Sequence, residues 1–304
     1  MKSTKTVLTI ILVFAILALI FSCESLGGVA QLGAAVAQAF GVIDERTADA
    51  ISKSGVAITK AFEDITPEQE YYIGRAVAAN ILTSYKIQTN KPAMLTYVNK
   101  ICDTLVINSV RPEIFNGYHV NILDSDEINA FATSGGHIFI TRGLIESTAS
   151  EDTLAAVIAH EVSHIQLQHG LKAIKNSRIT QALLVTGTSA AGAAGNRDIA
   201  QLADVFGDSV NEVVTTMVTN GYSRTQEYEA DSMAMSLLDL AGYEPSSLID
   251  VLKVLEKTQS SHPGGFNKTH PSPTDRITNA QKTVGNYKVP DTRSFRVSRY
   301  AAVK

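Results

Sequence analysis

Cysteine is nearly absent from this sequence: two thiols in 304 residues cannot staple a disulfide scaffold. Basic excess is absent as well. Lys and Arg number 26 against 30 Asp and Glu, with no run of five basic residues, so nucleic acid is not an expected partner. After the N-terminal apolar stretch, no segment reaches about 18 uninterrupted apolar residues, and none there reads as a membrane span. There is no GxSxG elbow for a serine nucleophile, and nothing around Cys102 marks a reactive thiol. Cys102 sits in a helical pattern and reads as a small core residue. Internal repeats are missing too. The Gly- and Ala-rich stretch 186–195 lacks the Gly-Lys-Ser/Thr ending of a phosphate loop and reads as an inter-helix connection. What is present is 45% apolar residues, ample for a core in one large domain or two small ones.

The N-terminus carries an address. Lys2 and Lys5 precede an apolar stretch from Val7 to Phe21, the charged-then-apolar order of a secretory signal. It closes on Ile20-Phe21-Ser22-Cys23, which resembles the lipobox of bacterial lipoproteins. That resemblance implies removal of a signal peptide over 1–22 and acylation of Cys23, with two or more chains anchoring the protein firmly. The alternative is an uncleaved anchor with Cys23 beside the membrane. The expected location is the cell envelope, on the periplasmic side of the outer membrane in a diderm or the outer face of the plasma membrane otherwise. Residues 23–65 comprise the lipidated Cys and a helical arm, with Val29, Leu32, Val36 and Phe40 on one stripe. The main domain is expected over 66–285, and 286–304 as a C-terminal tail.

Within the main domain, Thr66-Pro67-Glu68-Gln69-Glu70 starts a helix with Pro at its first position and carboxylates in its first turn. Helices are expected over 67–85 and 93–107. Between 118 and 142 the apolar period shortens, giving strands at Tyr118–Leu123 and His137–Thr141 with Asn129–Ala132 between them and a Gly135-Gly136 turn before the second. From Ser150 onward the pattern is mostly helical. The fold class is α+β, predominantly helical with a small sheet.

The chemistry concentrates in His160-Glu161-Val162-Ser163-His164. Ser150-Glu151-Asp152 starts the helix that carries it. At about 100° per residue, His160 and His164 are one turn apart on one face. Both imidazoles can reach one Zn²⁺, with Glu161 beside them and within reach of water. His169, nine residues past His160, falls on the opposite face of a continued helix and is expected at the surface or the helix end. A third ligand is required. Glu227 and Asp231 stand four apart on one helical face, so Glu227 is the candidate ligand and Asp231 the carboxylate behind a ligand histidine. Glu229 points away from Glu227 and is expected to face solvent.

These segments resemble peptidase family forty-eight of the zincin-like (gluzincin) zinc metallopeptidases. The resemblance is carried by Gly74-Arg75, Asn129-Ala130-Phe131-Ala132, Gly135 to Leu144, the HExxH run, Ser223-Arg224 with Glu227 and Ala230-Asp231, and His270-Pro271-Ser272-Pro273-Thr274-Asp275-Arg276-Ile277. It implies one Zn²⁺ per chain held by His160, His164 and Glu227, with Glu161 as general base. It also implies a site for Asn129 near the substrate backbone and for His270 near the metal, either stabilising the tetrahedral intermediate or closing the metal in a resting form. Strand His137–Thr141, if at a sheet edge, would bind extended polypeptide through His137, Ile138, Phe139 and Ile140; His137 itself reads as a cleft or packing residue. Arg224 and Arg276 suit substrate contacts or structural ion pairs. The implied activity is endopeptidase cleavage of misfolded or misassembled envelope proteins. The alternative is a metal-binding chaperone or assembly factor whose proteolysis is latent or secondary.

Overall fold

A computed structural model describes residues 65–172, 221–258, 266–270, 272–284 and 292–304, with a few isolated positions between 34 and 49. The expected signal segment, Cys23, nearly all of the 23–65 arm and the 186–195 connection lie outside the described residues. From residue 66 on, the described elements belong to one compact unit.

Helix α1 (Pro67–Ser84) starts as the sequence asks. The Thr66 hydroxyl accepts from the Gln69 amide, and the Gln69 side chain returns to the Thr66 amide; this reciprocal cap satisfies two donors a helix start leaves open. Helix α2 (Pro92–Val106) buries Met94, Val98, Ile101, Cys102 and Leu105 on one face, so Cys102 is the core residue its pattern suggested. Burial raises its pKa to about 12, which leaves the thiol protonated and inert.

The sheet has three strands: β1 (His119–Leu123), β2 (Ala130–Ala132) and β3 (His137–Thr141). Their order is β1-β3-β2, with β1 parallel and β2 antiparallel to β3. The substrate-edge role expected of His137, Ile138, Phe139 and Ile140 therefore fails at its condition. β3 is the middle strand, and its main-chain groups are engaged by neighbours on both sides. The two outer strands are β1 and β2, and β2 (Ala130–Ala132), the edge beside His270, is too short and too Ala-rich to announce itself as a strand. Between β2 and β3 the chain turns through Gly135 (φ 74°) and Gly136 (φ 92°), and a Cβ on Gly74 of α1 would sit 1.4 Å from the Ser134 carbonyl oxygen. Only glycine permits that approach of α1 to the turn.

Short helix α3 (Arg142–Ser147) leads to α4 (Glu151–Gln166), which is buried at every one of its 16 positions. Ser150 caps it reciprocally with Thr153. Its run 154–159 is apolar on every side and belongs in the core, and α4 packs against α2, β2, β3, α5 (Arg224–Leu240), α6 (Ser247–Thr258) and α9 (Arg293–Val303). Between α6 and α9 lie α7 (Phe266–Thr269) and α8 (Pro273–Thr283). No described helix is long and apolar enough to cross a membrane.

The stretch set apart as a tail contributes α9 to the domain. Buried Arg296 donates to Asp152 Oδ2 at 2.9 Å, and the Tyr300 hydroxyl lies 2.6 Å from Thr148 Oγ1. The apolar residues of 293–303 did not mark the docking face, because Phe295 and Val297 are exposed while the helix docks largely through an arginine and a tyrosine.

Candidate metal centre

Helix α4 brings His160 and His164 together as their spacing demands, with Nε2 atoms 3.1 Å apart. Helix α5, capped by Ser223 with Gln226, lays Glu227 across them. Its carboxylate oxygens are each 3.5 Å from one of the two Nε2 atoms. His270 follows α7 and completes the group, its Nδ1 3.0 Å from Glu227 Oε1 and 3.3 Å from His160 Nε2. One ligand atom from each of these four buried residues lies within 4.8 Å of the others. Atoms bound to zinc at about 2.0–2.1 Å in a tetrahedron stand roughly 3.3 Å apart, so the separations fit such an ion, as does the nitrogen and carboxylate donor set.

A second observation supports the fit. Glu161 is 0% exposed, and neither carboxylate oxygen has a hydrogen-bond partner among the described residues. It has an ion-pair contact to His270 Nε2, 3.5 Å from Oε1, but a buried carboxylate without hydrogen bonds still costs on the order of several kcal/mol. Burial raises its pKa, against the pull of His270 and His160. A carboxylate tuned upward beside a metal-ligand cluster suits a group that accepts and returns protons.

Behind the ligands sits a charged brace. His160 Nδ1 is 3.1 Å from Asp231 Oδ1. Arg276, 1% exposed, grips Asp231 in bidentate fashion, Nε to Oδ2 at 2.8 Å and Nη2 to Oδ1 at 2.6 Å. Its Nη1 also lies 2.8 Å from Glu227 Oε2, an ion-pair contact without hydrogen-bond alignment. Burial opposes ionisation of Glu227, but His270 and Arg276 hold its pKa well below the usual carboxylate range. For Asp231 the same burial is outweighed by Arg276. Both acids are ionised, as a ligand and its support must be. Arg276 is thus a structural ion-pair residue, whereas Arg224 stays exposed and meets Asp275 at 3.5 Å.

Three placements differ from the sequence reading or escape it. His169 is buried completely, its Nδ1 2.9 Å from His164 Nδ1. It lies at the helix end, as one of its two expected places, but not on the opposite face: Leu167 caps α4 and Gln168 takes φ 56°, which folds His169 back towards His164. Glu229 is half exposed, as expected of a solvent-facing acid, yet its Oε2 lies 3.2 Å from His169 Nε2. Tyr222, which no motif marked, stacks on His164 with ring centres 4.0 Å apart.

The remaining candidates lie beside the cluster. Asn129 is buried, and its Oδ1 accepts from the Ala130 amide at 2.9 Å and the Thr269 hydroxyl at 3.3 Å. It ties the start of β2 to the segment that carries His270. His137 is half-buried against Tyr71, ring centres 5.4 Å apart, and stands outside the four-residue cluster. A small cleft next to His270 is lined by Val77, Ile81, Ala130, Phe131, Ala132 and Tyr222.

A small mixed sheet beside a buried helix that carries HExxH, with a glutamate from a second helix, defines a zincin-like metallopeptidase. The chain belongs to peptidase family M48, whose family model matches residues 92–284. The family's metalloproteases use zinc, in keeping with the donor set found here. Among similar proteins are the beta-barrel assembly-enhancing protease of Yersinia pestis, 26% identical over 225 residues covering 70% of this chain and 43% of that protein. The metalloprotease LoiP of Escherichia coli K12 is 29% identical over 190 residues, 62% of this chain and 71% of that one. The mitochondrial metalloendopeptidase OMA1 of Schizosaccharomyces pombe is 22% identical over 223 residues, 72% and 62% respectively. The chain spans about two fifths of the length of the beta-barrel assembly-enhancing proteases it matches.

Proposed function

We propose that this protein is a zinc metalloendopeptidase that cleaves extended segments of cell-envelope proteins. The observation that carries the proposal is the fully buried Glu161 carboxylate, without a hydrogen bond among the described residues, next to the His160, His164 and Glu227 ligand atoms. His160, His164 and Glu227 hold the ion. When bound, zinc supplies Lewis acidity, lowering the pKa of water towards about 7 and polarising a carbonyl. Glu161 takes the proton from the attacking water on a carboxylate oxygen and passes it to the leaving amine. Asp231 keeps His160 oriented through Nδ1, and Arg276 keeps Asp231 ionised.

Extended substrate would pair with β2. The register of β2 on β3 turns the Ala130 carbonyl and the main-chain polar groups of Ala132 to the outer edge. Edge pairing binds backbone and leaves side-chain choice to the flanking cleft, whose Val77, Ile81 and Phe131 favour apolar groups. Asn129 acts on this pairing from behind, by fixing where β2 begins. The names of the relatives support envelope proteins as the substrate class. The lipobox-like pattern at Cys23 supports a lipid tether; a Cys23→Ser chain that still partitions with membranes would remove that tether. The activity test is cleavage of casein by the wild type beside Glu161→Gln. Cleavage only by the wild type is expected, and wild-type turnover in the variant would remove Glu161 from the base role.

A second reading is favoured by His270. Its Nδ1 stands where a fourth ligand would, and its Nε2 is 3.5 Å from Glu161 Oε1. Four protein ligands close a zinc site, whereas catalysis keeps one position open. In this form the enzyme is latent, with His270 as the latch, and the protein acts chiefly as a binding or assembly factor until released. His270→Ala cleaving casein faster than the wild type supports the latch; a large loss assigns His270 to the reaction itself.

A further inference from the structure

His164 and His169 meet nitrogen to nitrogen, Nδ1 to Nδ1 at 2.9 Å, and two such atoms form a hydrogen bond only if one carries a proton and the other a lone pair. The surroundings decide which. His164 Nε2 faces the other ligand atoms, 3.1 Å from His160 Nε2 and 3.5 Å from Glu227 Oε1. An ion at the cluster uses the Nε2 lone pair, so the proton of neutral His164 is on Nδ1. It donates to His169 Nδ1. His169 must then carry its own proton on Nε2, which is 3.2 Å from Glu229 Oε2 and donates to that carboxylate. Every nitrogen in the row has a single role.

We propose that His169 and Glu229 form a positioning pair for His164, an acceptor ring oriented by a carboxylate that fixes the metal-binding tautomer from outside the cluster. The inference rests on the metal-centre reading above. Two further features support it. Gln168 adopts the left-handed region, which disfavours residues with a side chain, and the result is delivery of His169 to His164. Tyr222 covers one face of the same His164 ring, so the ring is held on its face by Tyr222 and at its edge by His169. Groups that orient ligand histidines typically change metal affinity by 10- to 100-fold when removed.

The test is zinc affinity of the full chain, measured by chelator competition, with circular dichroism to establish folding. His169→Leu removes the acceptor and is expected to weaken zinc binding by about 10- to 100-fold. His169→Asn places Oδ1 where Nδ1 stood and is expected to retain most of the affinity. Glu229→Gln is expected to weaken binding less than His169→Leu, and to have no effect in the His169→Asn background, since Asn does not reach Glu229. Should His169→Leu fail to fold, the Asn and Gln variants alone carry the test. Wild-type affinity in folded His169→Leu overturns the pair while leaving the metal centre standing. Equal losses from Glu229→Gln in both backgrounds also overturn it. A wild type that binds no zinc removes the metal-centre reading, and this inference with it.

Discussion

His160 and His164 stand one helical turn apart, are equally buried, and differ in almost everything behind them. His160 is backed by a carboxylate: Asp231 lies against its Nδ1 and is clamped by Arg276 inside the core. His164 is backed by another ring, His169, whose carboxylate partner Glu229 reaches solvent. Burial and Arg276 act against charge on His160, yet Asp231 and Glu227 outweigh both and raise its pKa to about 9. Burial and the charge of His160 hold His164 well below its ordinary value. The surroundings thus favour charge on one ligand histidine and oppose it on the other. The difference shows that HExxH spacing fixes which way two rings point, while the residues behind them fix how each ring holds its proton.

The largest effect that would break this contrast is loss of Asp231. Asp231→Leu removes the bidentate partner of Arg276 in the core, leaving it only the ion-pair contact to Glu227, and is expected to cost about 3–5 kcal/mol in urea unfolding. Adding Arg276→Leu should recover much of that, because a buried ion pair replaced by apolar side chains is often near neutral. No recovery in the double variant would mean that the brace matters for more than charge balance.

The proton on His160 gives the second prediction. Zinc must displace it, so the metal competes with one proton wherever pH lies below about 9. Apparent zinc affinity is expected to fall about tenfold for each pH unit from 8 to 6. The sign follows from the raised value: lower pH favours the protonated, metal-free form. Asp231→Asn should flatten that slope near pH 8, since it removes a carboxylate that holds the proton. A pH-independent affinity in the wild type would mean that His160 is already neutral.

How much of this was legible beforehand depended on the range of the forces involved. The α4 and α5 motifs were readable because helical rotation is local, and His160, Glu161, His164, Glu227 and Asp231 assemble from two such faces. The burial of His169 against His164 was missed because one residue, Gln168, ends the rotation. The middle position of β3 was not legible, since strand order depends on long-range pairing and one of its two flanking strands is only Ala130–Ala132. Tyr222 and the docking of α9 were hidden for a related reason: neither carries a periodic apolar signal, and both act through single aromatic or arginine contacts.

Smaller effects sharpen the His164 side of the comparison. Tyr222→Leu removes the stacked ring and should lower stability by about 1 kcal/mol beyond lost burial, read as a shift in the urea midpoint. Glu229→Gln should change stability by less than about 0.5 kcal/mol, because the Glu229 side chain is 48% exposed. A loss as large as that of Asp231→Leu would erase the distinction between the two supports.

The most direct test of the central claim is zinc stoichiometry by native mass spectrometry, wild type beside His160→Ala. One zinc per chain in the wild type and none in the variant is the expected result. A metal-free wild type after zinc loading, or a variant that retains its zinc, would contradict the assignment of this cluster as the metal centre.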